Sequence, residues 1–229
     1  MDFNLDFDFG FEKKETPQSA FKKIPFETIN FKPKKTKIAY SNAAELAFDI
    51  EIQKGEMYSV NLTGDFVFGD FIGAFIQENN LDVQELSVIS LSGGLENFEM
   101  LEALIEKGWV EKVNLMLSGF FMRTEEKKHL YSLKNNSKNK TTKKSIAEYF
   151  NELKTNHKDN FNIFASEIHS KVTLIKTKQG GHVTMVGSAN LRSSQSFENL
   201  FIIENKEMYD FNYNYHFIEL LKFKKNGKK

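Results

Sequence analysis

A chain of 229 residues with 40% apolar residues, 23 Phe and 7 Tyr beside a single Trp can bury one domain-sized core. The absence of Cys excludes a disulfide framework, a thiolate nucleophile and any zinc site built on cysteine. Lys plus Arg equals Asp plus Glu at 31 each, so only the placement of charge can point to a partner.

Residues 1–36 mix Phe with charged residues, hold all three prolines (Pro17, Pro25 and Pro33) and show no sustained period. They read as an extended acidic-aromatic arm, with residues 37–229 as the folded domain. Two accounts of the arm stay open: a loosely docked leader, or a segment whose Phe3, Phe7, Phe9 and Phe11 dock on a protein partner. The opening residues carry acids and no apolar run, and no stretch reaches the roughly 18 to 20 apolar residues of a membrane span. The expectation is a soluble, cytoplasmic protein with no membrane partner.

Ala47–Ile52 and Met57–Leu62 predict short strands around a Lys54-Gly55 turn. Phe68, Phe71, Ile72, Phe75 and Ile76 recur at helical spacing, and the helix should end near Asn79-Asn80. Glu85–Leu91 predicts a strand closed by Ser92-Gly93-Gly94, and Phe98, Leu101, Leu104 and Ile105 line the helix that follows. Val113–Leu117 is the next strand, Ile146, Phe150 and Leu153 mark a further helix, and Phe161–Ala165 a further strand. Alternating strands and helices predict an α/β layered domain with a mixed, largely parallel sheet flanked by helices.

Between Lys127 and Lys144 lie seven lysines and no acid. The run reads either as a solvated connection or as a surface whose Lys134, Lys138, Lys140, Lys143 and Lys144 meet backbone phosphates of nucleic acid.

The informative stretch is Ile168-His169-Ser170-Lys171 followed by two apolar arms around Gln179-Gly180-Gly181 and then Gly187-Ser188-Ala189-Asn190. Both arms predict strands, and the Gly pair permits a tight reversal. His169 and Lys171 are two apart, as are Ser188 and Asn190, so a hairpin in register would gather four polar side chains at its open end. An imidazole, a fixed cation, an amide and a hydroxyl are groups that phosphodiester chemistry can use.

His-x-Lys followed by Gly-Ser-x-Asn resembles the signature motif of the phospholipase D superfamily. Glu198, ahead of the apolar run Leu200–Ile203, stands where that family has a Glu that accepts a hydrogen bond from the motif His. The resemblance covers residues 168–204 closely and rests upstream on element order alone. Lys176 departs from it, since the family usually has an Asp there, generally regarded as structural, and the connection between the two halves of the motif is longer.

The resemblance implies a metal-independent and cofactor-independent phosphodiesterase. Because none of His129, His157, His182 and His216 has a Lys two residues later, only half a site is present, and a homodimer is implied. One His169 would attack phosphorus to form a phosphohistidine while the other donates a proton to the leaving oxygen. Glu198 would hold the imidazole, Lys171 and Asn190 would stabilise the phosphorane, and Ser188 would orient a neighbour. Nucleic acid, DNA ahead of RNA, is the substrate suggested by the compact length and the lysine run. The alternatives are a non-catalytic nucleic-acid-binding or assembly protein on the same fold, and a lipid phosphodiesterase or phosphatidyltransferase.

Overall fold

The computed structural model describes residues 32–34, 39–63, 66–125, 129–134, 141–192 and 196–222. Phe3, Phe7, Phe9 and Phe11 of the arm, together with Lys138 and Lys140, lie outside the described residues. One short strand, β1 (Lys32–Lys34), falls within the span read as arm and pairs with the sheet.

Ala47–Ile52 is not a strand. The segment belongs to a helix, α1 (Ala43–Asp49), that follows the two-residue strand β2 (Ala39–Tyr40). Asn42 decides the matter: its side-chain oxygen accepts from the amides of Ala44 and Glu45 at 2.8 and 3.3 Å, satisfying two donors that a helix start leaves open. Leu46, Ala47 and Ile50 then bury one face. Gly55, at φ +79°, turns the chain into β3 (Glu56–Leu62), where Tyr58, Val60 and Leu62 point inward between exposed Ser59 and Asn61.

The middle of the chain follows its periodicity. Helix α2 (Phe68–Glu78) buries Phe68, Phe71, Ile72, Phe75 and Ile76 and ends at Asn79, with Asn80 in the left-handed region at φ +48°. There follow β4 (Val83–Ser90), α3 (Leu95–Glu106), β5 (Val113–Ser118) and α4 (Gly119–Glu125). The lysine-rich stretch is more than a connection: it holds a two-stranded hairpin of β6 (His129–Lys134) and β7 (Thr141–Ser145). Leu130, Tyr131 and Leu133 on one side and Thr141 and Thr142 on the other favour extended backbone, which outweighs the polar composition. Helix α5 (Ile146–Asn156) and β8 (Phe161–Ser166) come next, then β9 (Val172–Thr177), β10 (His182–Gly187), β11 (Glu198–Glu204) and α6 (Lys206–Tyr213), which runs into a π-helical turn over Asn214–Glu219.

The main sheet has the order β1-β3-β11-β10-β9-β4-β5-β8, with β2 paired to β3. It is mixed and not largely parallel. Parallel pairs lie at the two ends, while β4–β9, β9–β10, β10–β11 and β11–β3 are antiparallel. The cause is the short reversal between β9 and β10, since a hairpin can join only antiparallel strands. Gly180 takes φ +89° there, the Gly181 amide donates to Thr177 Oγ1 at 2.8 Å, and Lys178 bridges to Asp82 and Glu111 at 2.9 Å each. Strands β9 and β11 therefore run against all the others, so their first residues share one edge of the sheet with the last residues of β3, β4, β5, β8 and β10.

Alternation gives each face of the sheet its own core. One face takes Leu86, Val88, Leu115, Leu117, Ile175 and Met185 into a large core with α1, α2, α3 and α5. The other takes Ile89, Met116, Val172 and Leu174 into a smaller one closed by Tyr209 and Phe217. Polar groups on this second face satisfy one another: Asn162 Nδ2 donates to Asn114 Oδ1 at 2.9 Å, and Asn114 Nδ2 to Ser87 Oγ at 3.1 Å.

Candidate active site

The motif residues lie at that shared edge, just outside the strands and not within them. His169 and Lys171 precede β9, Ser188 and Asn190 follow β10, and Glu198 opens β11. At this end the Gly187 amide donates to the Lys171 carbonyl at 3.3 Å, and past that point apolar anchors direct the two chains. Ile168 is buried before His169, and Leu191 is fully buried after Asn190, its amide on Ser90 Oγ at 3.2 Å and its carbonyl accepting from Gly69 at 2.8 Å. Polar side chains are thus carried at the rim by neighbours fixed in the core.

His169 is exposed and half-buried Lys171 reaches it: Lys171 Nζ lies 3.2 Å from His169 Nδ1 and donates to the His169 carbonyl at 3.1 Å. An ammonium can only donate, so Nδ1 is the acceptor, and the proton of the neutral ring sits on Nε2. The ring is then neutral, whereas a general acid is the imidazolium, with a proton on both nitrogens. A ring that attacks through Nε2 needs the other tautomer, with a carboxylate or carbonyl on Nδ1.

Glu198 is held by Ser188. The Ser188 hydroxyl donates to the Glu198 carboxylate and accepts from the Asn199 amide at 3.1 Å, while the Ser188 amide donates to the Asn199 carbonyl at 3.1 Å. The resemblance implies a pairing of Glu198 with His169; the structure gives Glu198 to Ser188 and His169 to Lys171. Asn190 Oδ1 is buried with no hydrogen-bond partner among the described residues. Lys176, in place of the family Asp, lies opposite Glu85 in the β9–β4 register.

A cleft of about 680 Å³ opens at His169, Lys171 and Ser188. Asn190 and Glu198 are not part of its lining. Its far wall is Phe211, Asn212, Tyr215 and His216, to which sequence reasoning assigned nothing. A signal for them existed, because aromatic residues occupy every second position from Tyr209 to Phe217, a period that suggests a strand and hides a helix with two aromatic stripes. His216 is buried; its Nδ1 donates to the Asn212 carbonyl at 2.8 Å, and Nε2 has no partner among the described residues. Burial holds its imidazole below the ordinary range, against the pull of that hydrogen bond.

Of the lysine set, Lys134 lies in β6 and Lys143 and Lys144 in β7. Among the described residues, Glu102, Glu106 and His157 bring metal-capable atoms within 4.8 Å of one another. They do not line the cleft, and Glu102 is engaged by Tyr149 Oη at 2.6 Å and His157 Nε2 at 3.2 Å. No helix among the described residues is long and apolar enough to cross a membrane.

No protein-family model and no curated protein matches the sequence. Solved structures with a similar fold include polyphosphate kinase from Porphyromonas gingivalis, at 13% identity and TM-score 0.45 over 72% of this chain and 26% of that one. Phosphatidylserine synthase from Haemophilus influenzae matches at 9% identity and TM-score 0.40, over 68% and 36%. Yeast tyrosyl-DNA phosphodiesterase matches at 10% identity and TM-score 0.33, over 63% and 31%. The chain spans between a quarter and two fifths of the length of these structures, and similarity at this level says nothing of activity.

Proposed function

We propose that the chain is a phosphodiesterase of the phospholipase D superfamily, acting on nucleic acid as a homodimer. The observation that carries the reading is the meeting of an exposed His169, the Lys171 ammonium and the Ser188–Glu198 pair at one rim of the sheet, beside an open cleft. Ligand sites in layered α/β folds favour that location, where strand ends leave polar groups free of the ladder.

The chemistry needs two imidazoles, one that attacks phosphorus through Nε2 and one that gives a proton to the leaving oxygen. A single chain supplies one His-x-Lys, so a second copy completes the set about a two-fold axis. The contact of Lys171 with Nδ1 belongs to a neutral ring, so the imidazole that donates must release it and carry a proton on both nitrogens. In the copy that attacks, Lys171 turns to the phosphate and the ring proton passes from Nε2 to Nδ1 through water, which frees the Nε2 lone pair; Glu198 is the motif carboxylate to accept the Nδ1–H hydrogen bond. Asn190 Oδ1, buried and unpaired among the described residues, is an acceptor that a donor from substrate or the second subunit would satisfy.

The test is incubation of the purified chain with single- and double-stranded DNA and RNA in excess chelator. Cleavage by the wild type that His169→Ala abolishes supports the reading; binding by both without cleavage by either overturns it in favour of a binding protein.

A further inference from the structure

The two walls of the cleft differ in hydrogen-bonding character. One carries the Lys171 ammonium, which can only donate and suits a phosphate oxygen. The opposite wall carries Asn212 from α6 and His216 from the π-helical turn, both buried, and phosphate chemistry gives them no role.

Each of these two side chains turns its donor into the helix. Asn212 Nδ2 donates to the Met208 carbonyl at 2.9 Å, and His216 Nδ1 donates to the Asn212 carbonyl at 2.8 Å. The amide is left with Oδ1 and the ring with a bare Nε2, and both atoms are acceptors. Burial keeps the imidazole neutral, so Nε2 holds its lone pair, and that atom has no partner among the described residues. A buried acceptor left unmade weakens a fold more than a made bond strengthens it, which marks Nε2 as an atom awaiting a donor. The Tyr215 ring meets the imidazole edge-on, at 4.9 Å and 88°, and holds its plane. The turn itself is π-helical, a form frequent at functional sites.

We infer that His216 Nε2 accepts a hydrogen bond from the ribose 2′-hydroxyl beside the phosphate held at Lys171, so that the cleft favours RNA over DNA. The inference rests on the nucleic-acid reading of the same cleft. A ligand that satisfies both walls is anionic on one side and offers a neutral donor on the other. Within a nucleic-acid strand the 3′ and 5′ oxygens are esterified, and the phosphate between them carries no proton at neutral pH. The 2′-hydroxyl is the one O–H adjoining that phosphate, and DNA lacks it. It stands on every nucleotide, so the contact brings no base preference.

Fluorescence anisotropy of the full chain tests this with a 12-mer of adenine and cytosine alone, made as RNA, as DNA and as 2′-O-methyl RNA, so that only the 2′ group differs. All three are read in the His169→Ala background, which leaves no nucleophile to consume the ligand. RNA should bind about 2- to 12-fold more tightly than the other two, the strength of one hydrogen bond. His216→Phe keeps a ring and removes the acceptor; it should bring RNA down to the affinity of DNA and leave DNA unchanged. DNA binding in that variant also reports that the wall is folded, and where it is lost the ligand series on the unaltered wall decides alone. Equal binding of RNA and DNA by the unaltered wall overturns the inference and gives Nε2 to an internal water. An RNA preference that survives His216→Phe overturns it too. Competition by phosphatidylglycerol vesicles that His216→Phe abolishes would assign the acceptor to a lipid hydroxyl instead. Failure to bind any of the three sinks both readings, whereas failure of the wild type to cleave sinks only the phosphodiesterase, and cleavage without RNA preference sinks only this inference.

Discussion

Ser188 and Glu198, ten residues apart, share one hydrogen bond that joins the end of β10 to the start of β11: the hydroxyl donates to the carboxylate while accepting from the Asn199 amide. The serine is therefore an orienting group for the acid. In Ser188→Ala the carboxylate keeps its charge and loses its fixed direction. Turnover should fall on the order of 10- to 100-fold, as for other groups that orient a reacting side chain. Stability should change by less than about 1 kcal/mol, because the site is open to water. Kinetics and a thermal melt on the same variant check both.

Gly187 fixes how closely β10 and β11 approach. A Cβ at that position would lie 2.3 Å from the Asn199 carbonyl oxygen, a backbone atom that cannot give way without parting the strands. Gly187→Ala should lower Tm by roughly 2 to 12 °C, the range for about 1 to 3 kcal/mol of overpacking in a chain of this size. Activity should fall with it, since Ser188 is the next residue.

The proposed mechanism requires dimerisation, because this sequence carries a single His-x-Lys. Light scattering should give a particle of two chains under assay conditions, and a fully active monomer would contradict the proposal. In mixtures of wild type with excess His169→Ala, turnover should fall below the wild-type fraction, because each mixed dimer has one imidazole where two are needed.

Acid should weaken the fold through His216. Its folded pKa is lowered by burial, so the unfolded chain binds a proton near its ordinary value of about 6.5 that the folded chain refuses. The stability conferred by the neutral ring is complete above that value and is lost as pH falls below it. Urea midpoints at pH 8 and pH 5 should drop more for wild type than for His216→Phe; equal drops would place the acid sensitivity elsewhere.

The sequence displayed some of this fold plainly and hid the rest for physical reasons. Helices α2, α3 and α5 were legible because Phe71, Leu101 and Phe150 each head an apolar face that nothing interrupts. Helix α1 was not, since its start depends on Asn42, a residue equally at home in a turn. Largely parallel pairing was inferred from alternating elements, a rule that the β9–β10 reversal escapes. His169, Lys171 and Ser188 were legible as a motif, whereas Phe211 and Tyr215 were concealed by a spacing of two. The partnership of Glu198 with Ser188 depends on the β10–β11 register, which no local pattern specifies.

The Lys178–Gly181 turn stands at the far end of β9 from the cleft, about 20 Å away by strand length. Lys178 fastens it to Asp82 and Glu111, and Gln179 is exposed at its tip. Because the chain has no cysteine, a thiol introduced as Gln179→Cys would be unique in the molecule. A dye or surface coupled there would leave the rim that carries His169 facing open solution, which makes the turn a natural anchoring point for watching one molecule at a time.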